Sequence, residues 1–315
     1  REALLTGFAT HNYQARVNSI RPGLDGWLYA AVGLFGGEIE SVKGASRLQL
    51  NGRDFRFHPD TGELEAATGN SQQGRVRDDW GRWFGCTNGT LIKHYPLGDH
   101  YLRRNPHLAP PPVEHNVLAG TGFSRLHPAR KDPQLFKLSG SAGGVTSACG
   151  IGIYRDTLLG GEYSGDAFTC EPVNLLVHHT DLHRQPDAVA MTAHPPAAQR
   201  EFLASTDRWF RPVQARTGPD GALWIVDMYR FIIEHPRWIP RETLEDLDVR
   251  AGASMGRIYR VFPNDRRPRP VPRLDQLRTK ELAGALNTPN GTVRDLVMQM
   301  LLWRNDPEAV PGLST

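Results

Sequence analysis

Two turns of one chemical type, Gly23-Leu24-Asp25-Gly26 and Gly218-Pro219-Asp220-Gly221, each open directly into an apolar, aromatic run. The runs are Trp27-Leu28-Tyr29 and Ala222-Leu223-Trp224. Asp bonds backbone groups inside its own turn, and Gly takes positive φ without a Cβ penalty. Asp-Gly ahead of β-prone residues is therefore a hairpin signal. Its return late in the chain predicts a fold made of repeated antiparallel units.

From Arg1 to Phe262 short strand-like runs alternate with turns. Trp27–Val32, Asp54–His58, Gly152–Arg155, Ala167–Glu171, Leu175–His179, Ala222–Asp227 and Arg257–Phe262 are expected strands. Several carry aromatics at alternate positions, as half-buried sheet requires. Many short strands with a returning Gly/aromatic motif favour an all-β fold, a β-propeller over a sandwich. Asn70–Pro112 and Ala193–Arg208 read as long insertions, the second partly helical. Residues 263–273 form a Pro/Arg-rich linker that neither strand nor helix can use. In 274–315 the period becomes 3.6, with Val293, Leu296, Val297, Met300 and Leu301 in one stripe and Thr292 as expected N-cap. A facing stripe of Leu277, Leu282 and Leu286 completes a HEAT-like helical hairpin. One such repeat cannot bury its own face, which implies more of the array beyond Thr315.

The charge balance is small, +3 with 37 basic and 34 acidic residues interleaved, which argues against nucleic acid as partner. No apolar run approaches the ~18 residues of a membrane span. Cys86, Cys149 and Cys170 include no Cys-x-x-Cys, hence no c-type haem attachment in this chain. Cys149 and Cys170 lie in neighbouring strand-like runs and are either a cross-strand disulfide or, with Cys86, simple buried thiols. The histidines show no zinc spacing, and no phosphate-binding Gly-rich loop is present. Ser139-Gly140-Ser141-Ala142-Gly143 is the nearest approach to a nucleophile elbow and lacks its context.

The segments Asp207–Val213 and Asp227–Pro240 crowd acids, aromatics, arginines and Glu234-His235 together. Arg offers a rigid fork for anionic oxygens and His accepts a proton near neutral pH. The same residues also suit plain ion pairs between neighbouring sheets. Upstream, His11, Gln14, Arg16 and Asn18 either enter a central channel or ride on a surface connector. Asp25, Asp220 and Asp227 are hard-oxygen candidates for calcium.

These motifs come in a recognisable order. Asn18–Tyr29, Arg53–Pro59, Cys149–Tyr154, Phe168–Pro172, Asp207–Val213, Gly218–Gly221, Asp227–Arg230, Glu234–Pro236 and Gly256–Val261 resemble the membrane-bound dehydrogenase family of planctomycete-type bacteria. That family is also described as PVC-type haem-binding proteins, and the match runs over about residues 4–304. The resemblance implies the later blades of a six-bladed glucose/sorbosone dehydrogenase-like propeller, followed by HEAT repeats. It further implies an exported, periplasmic or membrane-associated protein that oxidises a carbohydrate or polyol. Pyrroloquinoline quinone and calcium would be the cofactors, and a cytochrome c the electron acceptor of the whole protein. On that reading His11 or His235 is the base, and Arg211 and Arg230 neutralise the quinone. Asp207, Arg16 and Asn18 contact the cofactor, and Asp25, Asp220 and Asp227 hold the metal. The position matching the general base of the quinoprotein sugar dehydrogenases falls near Ala15, not a histidine. That departure favours the alternative, a non-catalytic propeller/HEAT module that binds glycans or proteins.

Overall fold

Both Asp-Gly turns join paired antiparallel strands, and the sheets they start are stacked around a common centre. The computed structural model describes residues 2–12, 14–107, 109–131, 143–195, 200–236 and 239–313. Strand β1 (Leu5–Phe8) is followed by β2 (Asn18–Pro22) and, across the first turn, β3 (Leu28–Ala31). Then β4 (Gly37–Ser41) and β5 (Arg47–Leu50) fold back beside β1 as an accessory sheet. With β6 (Phe55–Phe57) and β7 (Leu64–Ala66) the order β2-β3-β6-β7 makes the first blade. The second blade is β8 (Arg75–Arg77), β9 (Trp83–Thr87), β10 (Thr90–Tyr95) and β11 (His115–Asn116), with helix α1 (Asp99–Leu102) before its last strand. The third is β12 (Cys149–Ile153), β13 (Ala167–Glu171), β14 (Leu176–Thr180) and β17 (Leu203–Ala204). A hairpin of β15 (Leu182–Arg184) and β16 (Met191–Ala193) interrupts it. The fourth holds β18 (Pro212–Thr217), β19 (Leu223–Asp227) and β20 (Arg257–Val261), with α2 (Arg241–Glu245) ahead of β20.

The first strands of the four blades lie side by side and run in one direction. Asn18 Nδ2 donates to Gln72 O at 2.7 Å and Arg77 Nε to Pro22 O at 2.9 Å, so β8 follows β2 in step. Gly150 N donates to Gln73 O at 2.7 Å and Arg155 Nε to Asp79 at 2.8 Å, which sets β12 beside β8. Gln214 Nε2 donates to Gly150 O at 3.1 Å and Arg155 N to Thr217 Oγ1 at 2.8 Å, which sets β18 beside β12. Gly150 permits the last approach. It has φ +56°, and a Cβ there would run into the Val213 carbonyl. Parallel inner strands with antiparallel sheets radiating from them are the geometry of a propeller. The observed fold is thus propeller-like and mostly β.

Apolar side chains fill the spaces between blades. Phe84, Cys86, Ile92, Ile151 and Ile153 pack between the second and third, and Tyr154, Phe168, Val177, Leu223 and Ile225 between the third and fourth. Each such burial stabilises by about 1.5–3 kcal/mol. At 274–313 Leu274, Leu282, Val293 and Val297 form a separate small core between α3 (Thr279–Gly284) and α4 (Gly291–Arg304), with the short α5 (Val310–Leu313) after them.

The seven expected strands are all found, within a few residues. Three expectations fail. Asn70–Pro112 is not an insertion but contains β8, β9 and β10, the body of a blade. Its alternation is hidden because Arg75 and Arg77 are buried, at 2% and 4% exposure, where apolar residues are expected. Ala193–Arg208 contains β17 and no helix among its described residues, and 196–199 lie outside them. Arg237, Trp238 and Ser139 to Ala142 also lie outside the described residues. The cap of α4 is Asn290, whose Oδ1 accepts Val293 N–H at 2.9 Å, while Thr292 donates instead to Thr217 O at 2.9 Å. The linker is tied down: Arg269 pairs with Asp156 and Arg266 donates to Leu158 O at 3.2 Å.

Candidate functional site

The repeated turn is a structural knot with the same wiring each time. Asp25 accepts Trp27 N–H at 3.3 Å and Tyr29 OH at 2.8 Å. Asp220 accepts Ala222 N–H at 3.2 Å and the Trp224 indole N–H at 2.9 Å. Gly26 and Gly221 take φ +81° and +90°. Each carboxylate also takes an arginine of the next strand, Arg56 at 2.9 Å or Arg260 at 2.5 Å. Those arginines stand opposite the same aromatics in register, Arg56 opposite Tyr29 and Arg260 opposite Trp224. The second blade carries a variant: Asp78 accepts Trp80 N–H and Arg82 N–H, both at 2.9 Å, and pairs with Arg82 Nε at 2.5 Å. In all three the carboxylate is engaged by donors from its own blade.

Asp227 lies at the opposite ends of the inner strands from these turns. Its Oδ1 accepts Arg211 N–H at 2.7 Å and Tyr229 N–H at 2.8 Å, and its Oδ2 accepts Tyr259 OH at 3.3 Å. The structure therefore does not bring Asp25, Asp220 and Asp227 together. Among the described residues no group of three His, Cys, Asp or Glu is placed to hold a metal ion.

Arg211 and Arg230 are neighbours, and all three side-chain nitrogens of Arg211 and two of those of Arg230 are spent on backbone carbonyls. Arg211 is wholly buried and donates to Pro172 O at 3.0 Å, Phe231 O at 2.8 Å and Arg230 O at 3.3 Å, with Glu234 at 3.6 Å. Arg230 donates to Ala251 O at 3.1 Å and Val249 O at 3.3 Å. Asp207 accepts Trp209 N–H at 3.0 Å. Exposed His11 packs edge-on against Phe35 at 4.4 Å, and Arg16 donates to Thr10 O at 3.2 Å. Asn18 spans Arg16 O and Gln72 O. Gln14 reaches Ile233 O at 3.0 Å, so the connector of His11 and the loop of half-buried His235 meet on one face. Fixed cations spent on backbone carbonyls do not fit a bound quinone, and carboxylates spent on arginines do not fit calcium.

A cleft of about 1170 Å³ lies instead on the turn face of blades one to three. Of the residues selected from sequence, only Asp25 lines it. Its inner wall is an aromatic box around a buried cation. Tyr29 and Trp83 pack with ring centroids 4.3 Å apart, and the Arg75 guanidinium stands 4.9 Å from Trp83 and 5.1 Å from Tyr95. Arg75 is held by Asp54, which also accepts Val32 N–H and Ser71 N–H, both at 3.0 Å, and the Ser71 hydroxyl at 2.7 Å. Burial, only partly opposed by the Arg56 hydrogen bond, pushes the Tyr29 hydroxyl up to about 12, so it stays a donor. At the rim Trp80 is 73% exposed with Arg82 stacked 4.9 Å from its ring, and Tyr101 is 61% exposed. His94 forms part of the wall beside the β15–β16 hairpin. Its Nδ1 accepts Met191 N–H at 3.0 Å, which puts the ring proton on Nε2, a buried atom without a partner among the described residues. Burial, then nearby Arg82, lowers its pKa to about 4, so the imidazole is neutral. Burial and Arg56 likewise lower that of His100 on the same cleft.

Around the cleft Arg56, Arg75, Arg82 and Arg184 face Asp25, Asp78, Asp99 and Asp187, four of each sign. Sequence reasoning missed this site because its residues come from six separate connections and share no motif. A tryptophan-rich turn, Asp79-Trp80-Gly81-Arg82-Trp83, was the one available signal.

Residues 1–265 match the family model described as "Domain of unknown function (DUF7133)". The chain belongs to that family. No curated protein matches it. Similar solved structures include the soluble aldose sugar dehydrogenase of Escherichia coli in its apo form, at 15% identity and TM-score 0.34 over 64% of this chain and 58% of that one. A glucose dehydrogenase follows at 13%, TM-score 0.33, and 65% and 59% coverage. Virginiamycin B lyase from Staphylococcus aureus has 13%, TM-score 0.31, and 71% and 68% coverage. The chain spans less than two thirds of the length of the sugar dehydrogenases. Scores this low assign neither a fold nor an activity.

Proposed function

We propose that this DUF7133 chain is a carbohydrate-binding propeller domain whose cleft takes a neutral oligosaccharide. The balanced charge of the cleft, flanked by exposed Trp80 and Tyr101, carries this reading. An indole or phenol ring offers a flat apolar face to the C–H side of a sugar ring, while exposed Arg184 and Asp187 on the same cleft bond its hydroxyls. Four cations against four anions give no preference for a charged ligand. The volume exceeds the ~300–1,000 Å³ usual for a compact small-molecule site, which suits several linked sugar units. Among the described residues no helix is long and apolar enough to cross a membrane.

The purified chain on a glycan array, followed by calorimetry with the best neutral and acidic oligosaccharides, tests the proposal. Binding of neutral sugars that weakens in Trp80→Ala supports it; a blank array, or a uniform preference for acidic glycans, refutes it.

Sugar or polyol oxidation with pyrroloquinoline quinone, calcium and a cytochrome c acceptor is the second reading, within a six-bladed, HEAT-extended, exported relative of the planctomycete-type dehydrogenases. Neutral His100 near the fixed cation Arg56, in one cleft with Arg82, favours it. The residues assigned to those cofactors do not fit them, so no step is derived through either group. Dye-linked oxidation that depends on added quinone and calcium would put this reading first.

A further inference from the structure

We propose that Cys149 and Cys170 are an oxidisable thiol pair that closes into a cross-strand disulfide between β12 and β13. The two residues are direct partners in the antiparallel register, and both are free thiols here. Direct partners project side chains from the same face of a sheet. That face is the apolar cluster between the third and fourth blades, which contains Cys170 and packs against Cys149. Direct antiparallel partners hold their Cα atoms ~4.5–5.5 Å apart. Disulfides span ~4.4–6.8 Å, so the bond closes without sliding the strands. Cys86 belongs to the cluster between the second and third blades.

Exposure sets the order of events. Both thiols are buried, but Cys149 is the less buried residue of the two, so when the sheet edge opens a small disulfide such as oxidised glutathione meets Cys149 first. The Cys149 sulfur displaces one glutathione thiol and forms a mixed disulfide. The Cys170 sulfur then attacks Cys149 and displaces the second thiol. Two protons leave the protein, and its two electrons reduce the glutathione disulfide to two thiols. Burial holds both thiols well above their ordinary range, so thiolate is scarce and closure is slow at neutral pH and faster as pH rises.

The test is peptide mapping of the wild-type chain after incubation with oxidised glutathione, alkylation and digestion without reduction. The expected result is a Cys149–Cys170 cross-linked peptide, Cys86 alkylated after denaturation, and a Tm raised by about 5 °C that dithiothreitol reverses. Recovery of all three cysteines as alkylated peptides, or Cys86 in the cross-link, overturns the proposal. Cys86→Ser provides the control, since the cross-link must persist in it.

Discussion

Asp295→Asn should loosen the helical segment from the propeller while leaving the blades intact. Asp295 is the joint: it accepts from Arg77 at 2.8 Å and from both terminal nitrogens of Arg155 at 2.6 and 3.0 Å. Arg155 is also held by Asp79 at 2.5 Å, and Asp79 by Arg294 at 2.8 Å. Burial alone would lower the Arg155 pKa, but the hydrogen bonds it donates to Asp295 and Asp79 outweigh it and push the pKa up. Each charge-assisted bond is worth about 1.5–3 kcal/mol, and asparagine keeps one carbonyl acceptor while Asp79 retains Arg155. The net loss is then about 2–3 kcal/mol. Hydrogen exchange should register it as a fall of about 30–150-fold in protection of residues 291–304, with β13 and β19 unchanged. An equal fall across all blades, or no fall in α4, would refute the account of this joint.

The same joint gives a pH prediction. Hydrogen bonds from Arg155 and Arg294, outweighing burial, lower the Asp79 pKa, so its contribution is fully present above the ordinary carboxylate range and is lost as pH falls through the folded value. Exchange in α4 should accelerate below about pH 4 before the sheets melt. Trp80→Ala should leave Tm within about 1 °C, because Trp80 is largely solvent-exposed, yet weaken oligosaccharide binding about 10-fold by calorimetry. Unchanged affinity would place the ligand elsewhere. Arg211→Met should cost about 3–5 kcal/mol in chemical denaturation, since it strands three carbonyls and buried Glu234; a variant of wild-type stability would return Arg211 to the list of free functional groups. Calcium or a chelator should shift Tm by less than about 1 °C, because Asp25 and Asp220 are already neutralised by arginine; a clear shift on calcium addition would overturn that pairing.

The fold was legible wherever burial follows residue type. Leu223, Ile225, Ala167 and Phe168 alternate or cluster as sheet requires, and the Asp-Gly turns stand where the hairpins are. The second blade was not legible, since its inner strand buries Arg75 and Arg77 and its middle strand contains Gly85 under Tyr95. A hydrophobic pattern cannot reveal a cation buried through pairing with Asp54 and three aromatic rings. The same limit misdirects the search for a site. Arg211 and Arg230 look reactive in the sequence, but only coordinates show every side-chain nitrogen of Arg211 and two of Arg230's spent on backbone carbonyls. Conversely, His94 and Trp83 look ordinary until the connections of three blades converge on them.

Strands of two to six residues explain why so many charges serve as structure. A ladder that short supplies few backbone bonds, so each blade is tied to its neighbour by a side chain reaching across. Arg155 ties the third blade to Asp79 of the second, Arg77 ties the second to Pro22 of the first, and Arg211 ties the fourth to Pro172 of the third. The helical segment uses the same device. Asn290 donates to Gly218 O and Gly291 N to Arg155 O, both at 2.8 Å, while Asp295 takes Arg77, so α4 sits over the ends of β8, β12 and β18. With those inner-strand ends covered, a ligand approaching the turn face meets the off-centre cleft between Trp80, Tyr101 and the β15–β16 hairpin. Undocking α4 would uncover the inner strands without changing that wall. Asp295→Asn should therefore leave oligosaccharide affinity within about 2-fold of wild type, and a larger change would mean that the helix and the cleft act on one ligand.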